Sequence, residues 1–188
     1  MNLTKKALSQ ALKEIMNHIP FEKITINDVT AEAGVSRNTF YYHFSDINEL
    51  LAWTFDNEIV KGLENYEDLN TWNDGLLSVL NYTEENRKFC LNTFHSFNRD
   101  RLEIFLYNIT YQMLVSIMSQ SYSEKVLATE LKEQIADFYG RGIVAQVIHW
   151  LTTRLDEPKD QLITRIERVT KGMFELIIQN QTQKLDKI

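Results

Sequence analysis

The chain has 188 residues, of which 44% are hydrophobic, and a formal net charge of −6. That balance fits one sizeable globular core with room for a small satellite domain and excludes a disordered class, while the acidity lowers the affinity expected for polyanions at large. The single cysteine, Cys90, excludes an internal disulfide, fits a reducing cytoplasm and reads as a small buried helix residue. Residues 1–19 carry Lys5, Lys6 and Lys13 without a continuous apolar run, so no secretory leader is expected. No window approaches the roughly 18 apolar residues of a membrane span.

The first helix is predicted over residues 3–18, where Ala7, Leu8, Ala11, Leu12, Ile15 and Ile19 form an i, i+3/i+4 stripe. Pro20 ends it, and Phe21 and Ile24 pack the following loop. Thr25 caps a short second helix, with Asp28 three residues on completing an acidic capping box. Ile26, Val29 and Ala33 share one face of that helix; Gly34 supplies the positive φ that ends it, and Val35 buries itself in the turn. Ser36 caps a third helix that turns Phe40 and Phe44 inward and presents Arg37, Asn38, Thr39, Tyr41, Tyr42 and His43. Two short helices joined in this way form a helix-turn-helix, the second member of which is suited to a DNA major groove. A fourth helix is predicted from residue 45 to about residue 64 as a continuous rod, since no Pro, Gly or Ser linker precedes it.

Strand-like alternation and hairpin signals are missing from the rest of the sequence. Helices are predicted over residues 68–80 and 83–97, divided near Asn81, with Thr83 starting the second. A long apolar helix follows over residues 100–119, then one over residues 123–154 carrying Gly140 and Gly142. Asp156 caps the last helix, which holds Pro158 in its first turn and runs to about residue 181. The expected architecture is all-α: an N-terminal three-helix helix-turn-helix domain over residues 1–46, then a C-terminal helical bundle over residues 47–188, with about nine helices in all.

On the third helix, Arg37 has the reach for guanine O6 and N7 or for a phosphate, and Asn38 and Thr39 for base edges or backbone. The Tyr41 and Tyr42 hydroxyls reach phosphates, their rings suit a thymine methyl, and His43 can donate to a phosphate. The bland alternative is that Ser36 only caps and that one tyrosine only packs. Charge is the awkward feature: residues 1–50 hold one more acid than base, where a basic patch is expected of a DNA reader. Either a few well-placed cations and backbone amides suffice, or DNA binding is weak and needs help.

Phe94, His95, Tyr107, Tyr111, Phe138 and Tyr139 give the C-terminal body an aromatic character that fits either a ligand pocket between helices or an ordinary bundle core. Val144, Val147, Ile148, Leu151, Ile166 and Met173 are the candidate dimer face, aided by the small Gly140 and Gly142. The alternative is that the same residues close the monomer core. His18, His43, His95 and His149 are scattered without metal-ligand spacing. Gly140-Arg141-Gly142 lacks the lysine and hydroxyl residue of a phosphate loop, and no nucleophile elbow exists. No catalytic site, metal or cofactor is expected.

Residues 26–44, with Ala33-Gly34-Val35-Ser36 and Thr39-Phe40-Tyr41-Tyr42-His43-Phe44, resemble the DNA-binding motif of the TetR family of transcriptional regulators, and Asp46-Ile47-Asn48-Glu49-Leu50-Leu51 resembles the start of that family's fourth helix. Beyond this stretch the likeness is one of length and helical character. The resemblance implies an all-helical homodimer whose heads bind a palindromic double-stranded operator. It also implies a body that pairs subunits and senses a small-molecule effector, the two being coupled through the fourth helix, and repression of nearby genes as the default. It places DNA contacts at Thr25, Ser36, Arg37, Asn38, Thr39, Tyr41, Tyr42 and His43. One departure is Ile47, which stands where many relatives carry a phosphate-gripping lysine. Tyr42-His43-Phe44-Ser45-Asp46-Ile47, and Phe138-Tyr139-Gly140 with Trp150-Leu151 ahead of Pro158, also resemble a Firmicute-type branch that includes regulators of dihydroxyacetone-kinase operons, some of them activators. The expected role is thus a cytoplasmic, dimeric DNA-binding repressor. The rival is a protein-interaction or co-activator module with a weak or non-functional head.

Overall fold

The computed structural model describes residues 3–60, 72–96, 99–170 and 172, and every regular element among them is helical. We number the helices α1 (Leu3–Met16), α2 (Ile26–Glu32), α3 (Arg37–His43), α4 (Ile47–Phe55), α5 (Trp72–Glu85), α6 (Arg87–His95), α7 (Arg99–Ser121), α8 (Thr129–Thr152) and α9 (residues 159–170). The chain forms two compact units: one combines Met1–Gly62 with Tyr82–Leu102, the other Leu63–Asn81 with Glu103–Ile188. Packing therefore groups residues 47–62 and 82–102 with the head that the sequence delimits at residue 46.

In the first unit α1 stops at Met16, two residues before the expected end, and the chain leaves it through amide bonds from Asn17, His18 and Ile19 to carbonyls of the preceding turn. Its inward stripe is Leu8, Ala11, Leu12 and Met16 with the buried Ser9, whereas Ala7 and Ile19 face outward. Ile19 misses the stripe because the helix no longer carries it there. Asn92 of α6 holds this end: its Nδ2 donates to the carbonyls of Met16 and Ile19, each at 2.7 Å, and its Oδ1 accepts the Phe21 N–H at 2.9 Å. One side chain thus satisfies groups that a helix end leaves open, which is the physical reason that α6 belongs to this unit. Asp46 caps α4 by accepting the Glu49 N–H at 2.8 Å, and Glu49 returns the bond to the Ser45 N–H at 2.6 Å.

The fourth helix continues unbroken through the described residues but does not stay α-helical. After Phe55 the helix widens into a π-helical turn, Asp56–Val60, and residues 61–71 lie outside the described set. The turn delivers Glu58 into a polar knot. Lys13 Nζ of α1 lies 2.5 Å from Glu58 Oε2, and the Tyr82 hydroxyl donates to the same oxygen at 2.7 Å. The ammonium also sits 5.3 Å above the Tyr82 ring and 5.8 Å from that of Phe89. Burial, reinforced by the bond to Glu58, raises the Tyr82 pKa, so that hydroxyl stays a donor. Next to this knot the buried Cys90 thiol is pushed up to about 12, chiefly by desolvation. The expected inert, buried cysteine is what the fold holds.

The break expected near Asn81 is absent. Instead α5 runs on to Glu85 and the chain bends at Asn86, whose φ of −109° and ψ of 34° are not helical. Thr83 does not start a helix, because its side chain is buried and committed to the interior. In the second unit, α8 begins at Thr129 and not at residue 123, since residues 123–127 fold into a turn on the Ser123 carbonyl. Lys132, 5% exposed, donates from Nζ to the Tyr122 carbonyl at 3.0 Å and so closes the end of α7. After α8, Arg154 and Leu155 both adopt left-handed φ, 57° and 60°, and Trp150 Nε1 donates to the Glu157 carbonyl at 2.7 Å. Pro158 precedes α9, with its carbonyl accepting the Leu162 N–H, so it stands at the cap position and not in the first turn. The expected extension of this helix to residue 181, and with it Met173, falls outside the described residues.

Candidate nucleic-acid interface

Local chemistry builds the helix-turn-helix. Thr25 Oγ1 accepts the Asp28 N–H at 3.3 Å while Asp28 Oδ2 accepts the Thr25 N–H at 2.8 Å, a reciprocal cap. The hydrogen bonds from Thr25, the hydroxyl first, hold the Asp28 carboxyl below its ordinary pKa. At the other end of α2, Gly34 adopts φ of 65°, its N–H donates to the Ala31 carbonyl and that of Val35 to the Thr30 carbonyl at 3.0 Å. That pair of bonds is a Schellman end, and it aims the chain into α3. Ser36 Oγ accepts the Thr39 N–H at 3.1 Å to start the helix.

Phe40 and Phe44 are buried, ring centroids 6.0 Å apart, and anchor α3 to the unit. The opposite face is open: Tyr42 is 84% exposed and Tyr41 50%, with Arg37 and Asn38 exposed beside them. Leaving so large an aromatic surface in water is unfavourable, so its natural counterpart is another surface. His43 is half-buried, packed edge-on against the Tyr42 ring at 4.9 Å. Thr39 is half-buried and its hydroxyl pairs with that of Ser36 at 2.9 Å, so both serve the cap whatever else they do. Arg37 is held by two neighbours: Nη1 donates to Asn27 Oδ1 at 3.2 Å and Nη2 to the Tyr41 hydroxyl at 3.1 Å. Asn27 went unread in the sequence; the available signal was its place in the first turn of α2, ten residues from Arg37 across a tight turn. Ile47 is the first residue of α4 and half-buried, and Lys5 nearby sits 4.9 Å above the Phe44 ring.

The candidate pocket residues divide between the two units. Phe94 and His95 belong to the first unit, where Phe94 is buried under the Arg99 guanidinium at 4.7 Å. Tyr107 and Tyr111 stack at 5.9 Å in the second unit, and the Tyr107 hydroxyl donates to Asp137 Oδ1 at 2.5 Å. Arg141 also binds Asp137, at 2.8 Å, and with Tyr107 holds its carboxyl below the ordinary range. Phe138 and Tyr139 instead border a groove of about 290 Å³ between α8 and α9. A separate cavity lined by Leu76, Leu106, Ile109, Met113 and Val144 has about 20 Å³, the room of one water.

Of the candidate dimer residues, Val144, Val147, Leu151 and Ile166 are already buried within one chain, and Ile148 is half-buried. They fill the subunit's own core, as the alternative reading had it. Among the described residues, the large apolar groups left outside on these helices are Phe138, 70% exposed, and Val169, 59% exposed, both bordering the α8–α9 groove. Among the described residues no helix is long and apolar enough to cross a membrane, and no three His, Cys, Asp or Glu side chains gather as a metal site.

The profile described as "Bacterial regulatory proteins, tetR family" matches residues 8–52, and that described as "Transcriptional regulator C-terminal region" matches residues 70–172. The chain is similar to the HTH-type dhaKLM operon transcriptional activator DhaS of Lactococcus lactis subsp. lactis (strain IL1403), with 32% identity over 87 residues. That alignment spans 46% of each protein, a little under half of the relative's length. The solved structure of a dihydroxyacetone kinase operon activator DhaS shares the fold, with a TM-score of 0.74 and 22% identity over 93% of this chain and 97% of that one. The all-α expectation and the resemblance both hold, and with the second profile covering more than half of the sequence the chain belongs to the TetR family of transcriptional regulators, not to a family of enzymes.

Proposed function

We propose that this protein is a dimeric, sequence-specific DNA-binding regulator that reads a palindromic operator with the Ser36–His43 face of α3 and controls a nearby operon. The observation that carries the reading is the split of α3 into a buried anchor, Phe40 and Phe44, and an exposed polar-aromatic face, Arg37, Asn38, Tyr41 and Tyr42. A second copy supplies the matching half-site, since one seven-residue helix offers little area and two placed about 34–36 Å apart read half-sites one DNA turn apart, half a turn on each side of the dyad. The α8–α9 groove, with Phe138 and Val169 at its rim, is the surface we assign to that second copy. Phe138→Asp is expected to turn a dimer into a monomer by sedimentation or light scattering without lowering the melting temperature; an unchanged dimer mass would move the interface elsewhere.

The sign we favour is activation, because both DhaS relatives are named activators, although repression is the default that the family resemblance carries. A reporter fused to the chain's own upstream region should fall in output when the protein is deleted; a rise would make it a repressor. We place effector sensing in the second unit, where the 20 Å³ cavity requires its helices to part before a metabolite enters. The experiment that tests the DNA reading is a gel shift with the protein's upstream DNA at two salt concentrations. A sequence-specific complex with a shallow salt slope is expected, since few cations face the groove. No specific complex at low salt would favour the second reading, a partner-docking or co-activator module, for which Ile47 and the acid excess of residues 1–50 speak.

A further inference from the structure

Arg37 is exposed, yet its guanidinium is not free to wander. Asn27 of α2 accepts from Nη1 at 3.2 Å, and the Tyr41 hydroxyl one turn on in α3 accepts from Nη2 at 3.1 Å. The guanidinium also lies 5.8 Å from the Tyr41 ring. Exposed side-chain bonds of this kind contribute little to stability, because two long side chains lose rotamer freedom to make them. Their consequence lies in binding: an arginine already fixed loses less freedom when it meets DNA. Two of its five N–H groups are taken by protein acceptors, and the remaining three are left for an outside acceptor. The Tyr41 oxygen, engaged as an acceptor from Arg37, keeps its own proton to donate outward.

We propose that Asn27 is a positioning residue for DNA specificity: it aims the Arg37 guanidinium at one base pair, and Arg37 in turn fixes Tyr41 as a donor to the adjoining phosphate. This rests on the DNA reading above. The chemistry is that of a bidentate donor set meeting the O6 and N7 acceptors of a guanine, which a mobile arginine discriminates less well. Asn27 itself bonds the arginine and not the base, so its contribution passes entirely through Arg37.

The test measures binding by fluorescence anisotropy to the footprinted upstream duplex and to a series of duplexes each changed at one base pair. Asn27→Ala is expected to weaken binding to the parent duplex about tenfold and to flatten discrimination at one position. In an Arg37→Ala background it should change nothing further. Asn27→Asp, which keeps the acceptor, should restore the discrimination profile even where the added charge lowers absolute affinity. The melting temperature should stay constant throughout. The inference is overturned if Asn27→Ala leaves discrimination intact, weakens all duplexes equally as a direct phosphate contact does, or adds its full effect to that of Arg37→Ala. If the wild-type protein forms no sequence-specific complex, the DNA reading falls as well, whereas specific wild-type binding with an indifferent Asn27 sinks this inference alone.

Discussion

Two polar clusters in the same compact unit use similar groups to opposite ends. The Lys13–Glu58–Tyr82 knot is half-buried, its lysine and glutamate side chains 14% and 24% exposed. The Asn27–Arg37–Tyr41 cluster lies on the surface. A charge pair withdrawn from water is costly to break, because the surviving partner is left without compensation; an exposed one is cheap to break. The first cluster therefore fixes where the π-helical turn after α4 sits against α1, and the second is maintained for what approaches from outside. Polar groups in one small unit thus divide by burial into those that build it and those that read with it.

Breaking the half-buried cluster should give the largest effect on stability. Lys13→Ala leaves Glu58 facing the Tyr82 hydroxyl alone and should cost about 1–2 kcal/mol in urea denaturation. A loss under about 0.5 kcal/mol would erase the contrast between the clusters. The exposed cluster should behave in the reverse way. Arg37→Ala should cost about 1–3 kcal/mol of discrimination at one base pair and nothing measurable in stability. A uniform loss across sequences would make Arg37 a phosphate contact.

The turn that aims α3 is tested by Gly34→Ala. No atom lies within 4 Å of the added methyl, so the cost is that of a left-handed φ alone, about 1 kcal/mol. A neutral result would mean that the turn relaxes. The smallest effect concerns pH. Asp28 is held below its ordinary 3.8 by Thr25, so its stabilisation is complete above that value and fades as pH falls through the lowered folded one. Asp28→Asn should therefore flatten the acid-side decline of the melting temperature while removing a little stability at neutral pH. A decline as steep as the wild type's would place the acid sensitivity elsewhere.

The helix-turn-helix was legible in the sequence because everything that defines it is local: caps at Thr25 and Ser36, glycine at the left-handed position, and phenylalanines one turn apart. What escaped was set by distant partners. Nothing near Asn92 announces that it closes the end of α1, more than 70 residues away in the chain. Thr83 reads as a helix start until its burial is known, and the widening after Phe55 follows no Pro or Gly signal. The proposed dimer face shifted for the same reason. Val144, Val147, Leu151 and Ile166 carry the right spacing, but which side of a two-sided apolar helix faces its own core is a tertiary decision.

The exposed face of α3 is tested most directly by titrating the footprinted upstream duplex with wild-type protein and with Tyr42→Ala, melting both proteins in parallel. Tyr42 is 84% exposed, so the account predicts at least a tenfold loss of operator affinity with an unchanged melting temperature. Wild-type affinity in the variant, or a collapse of its stability, would contradict it.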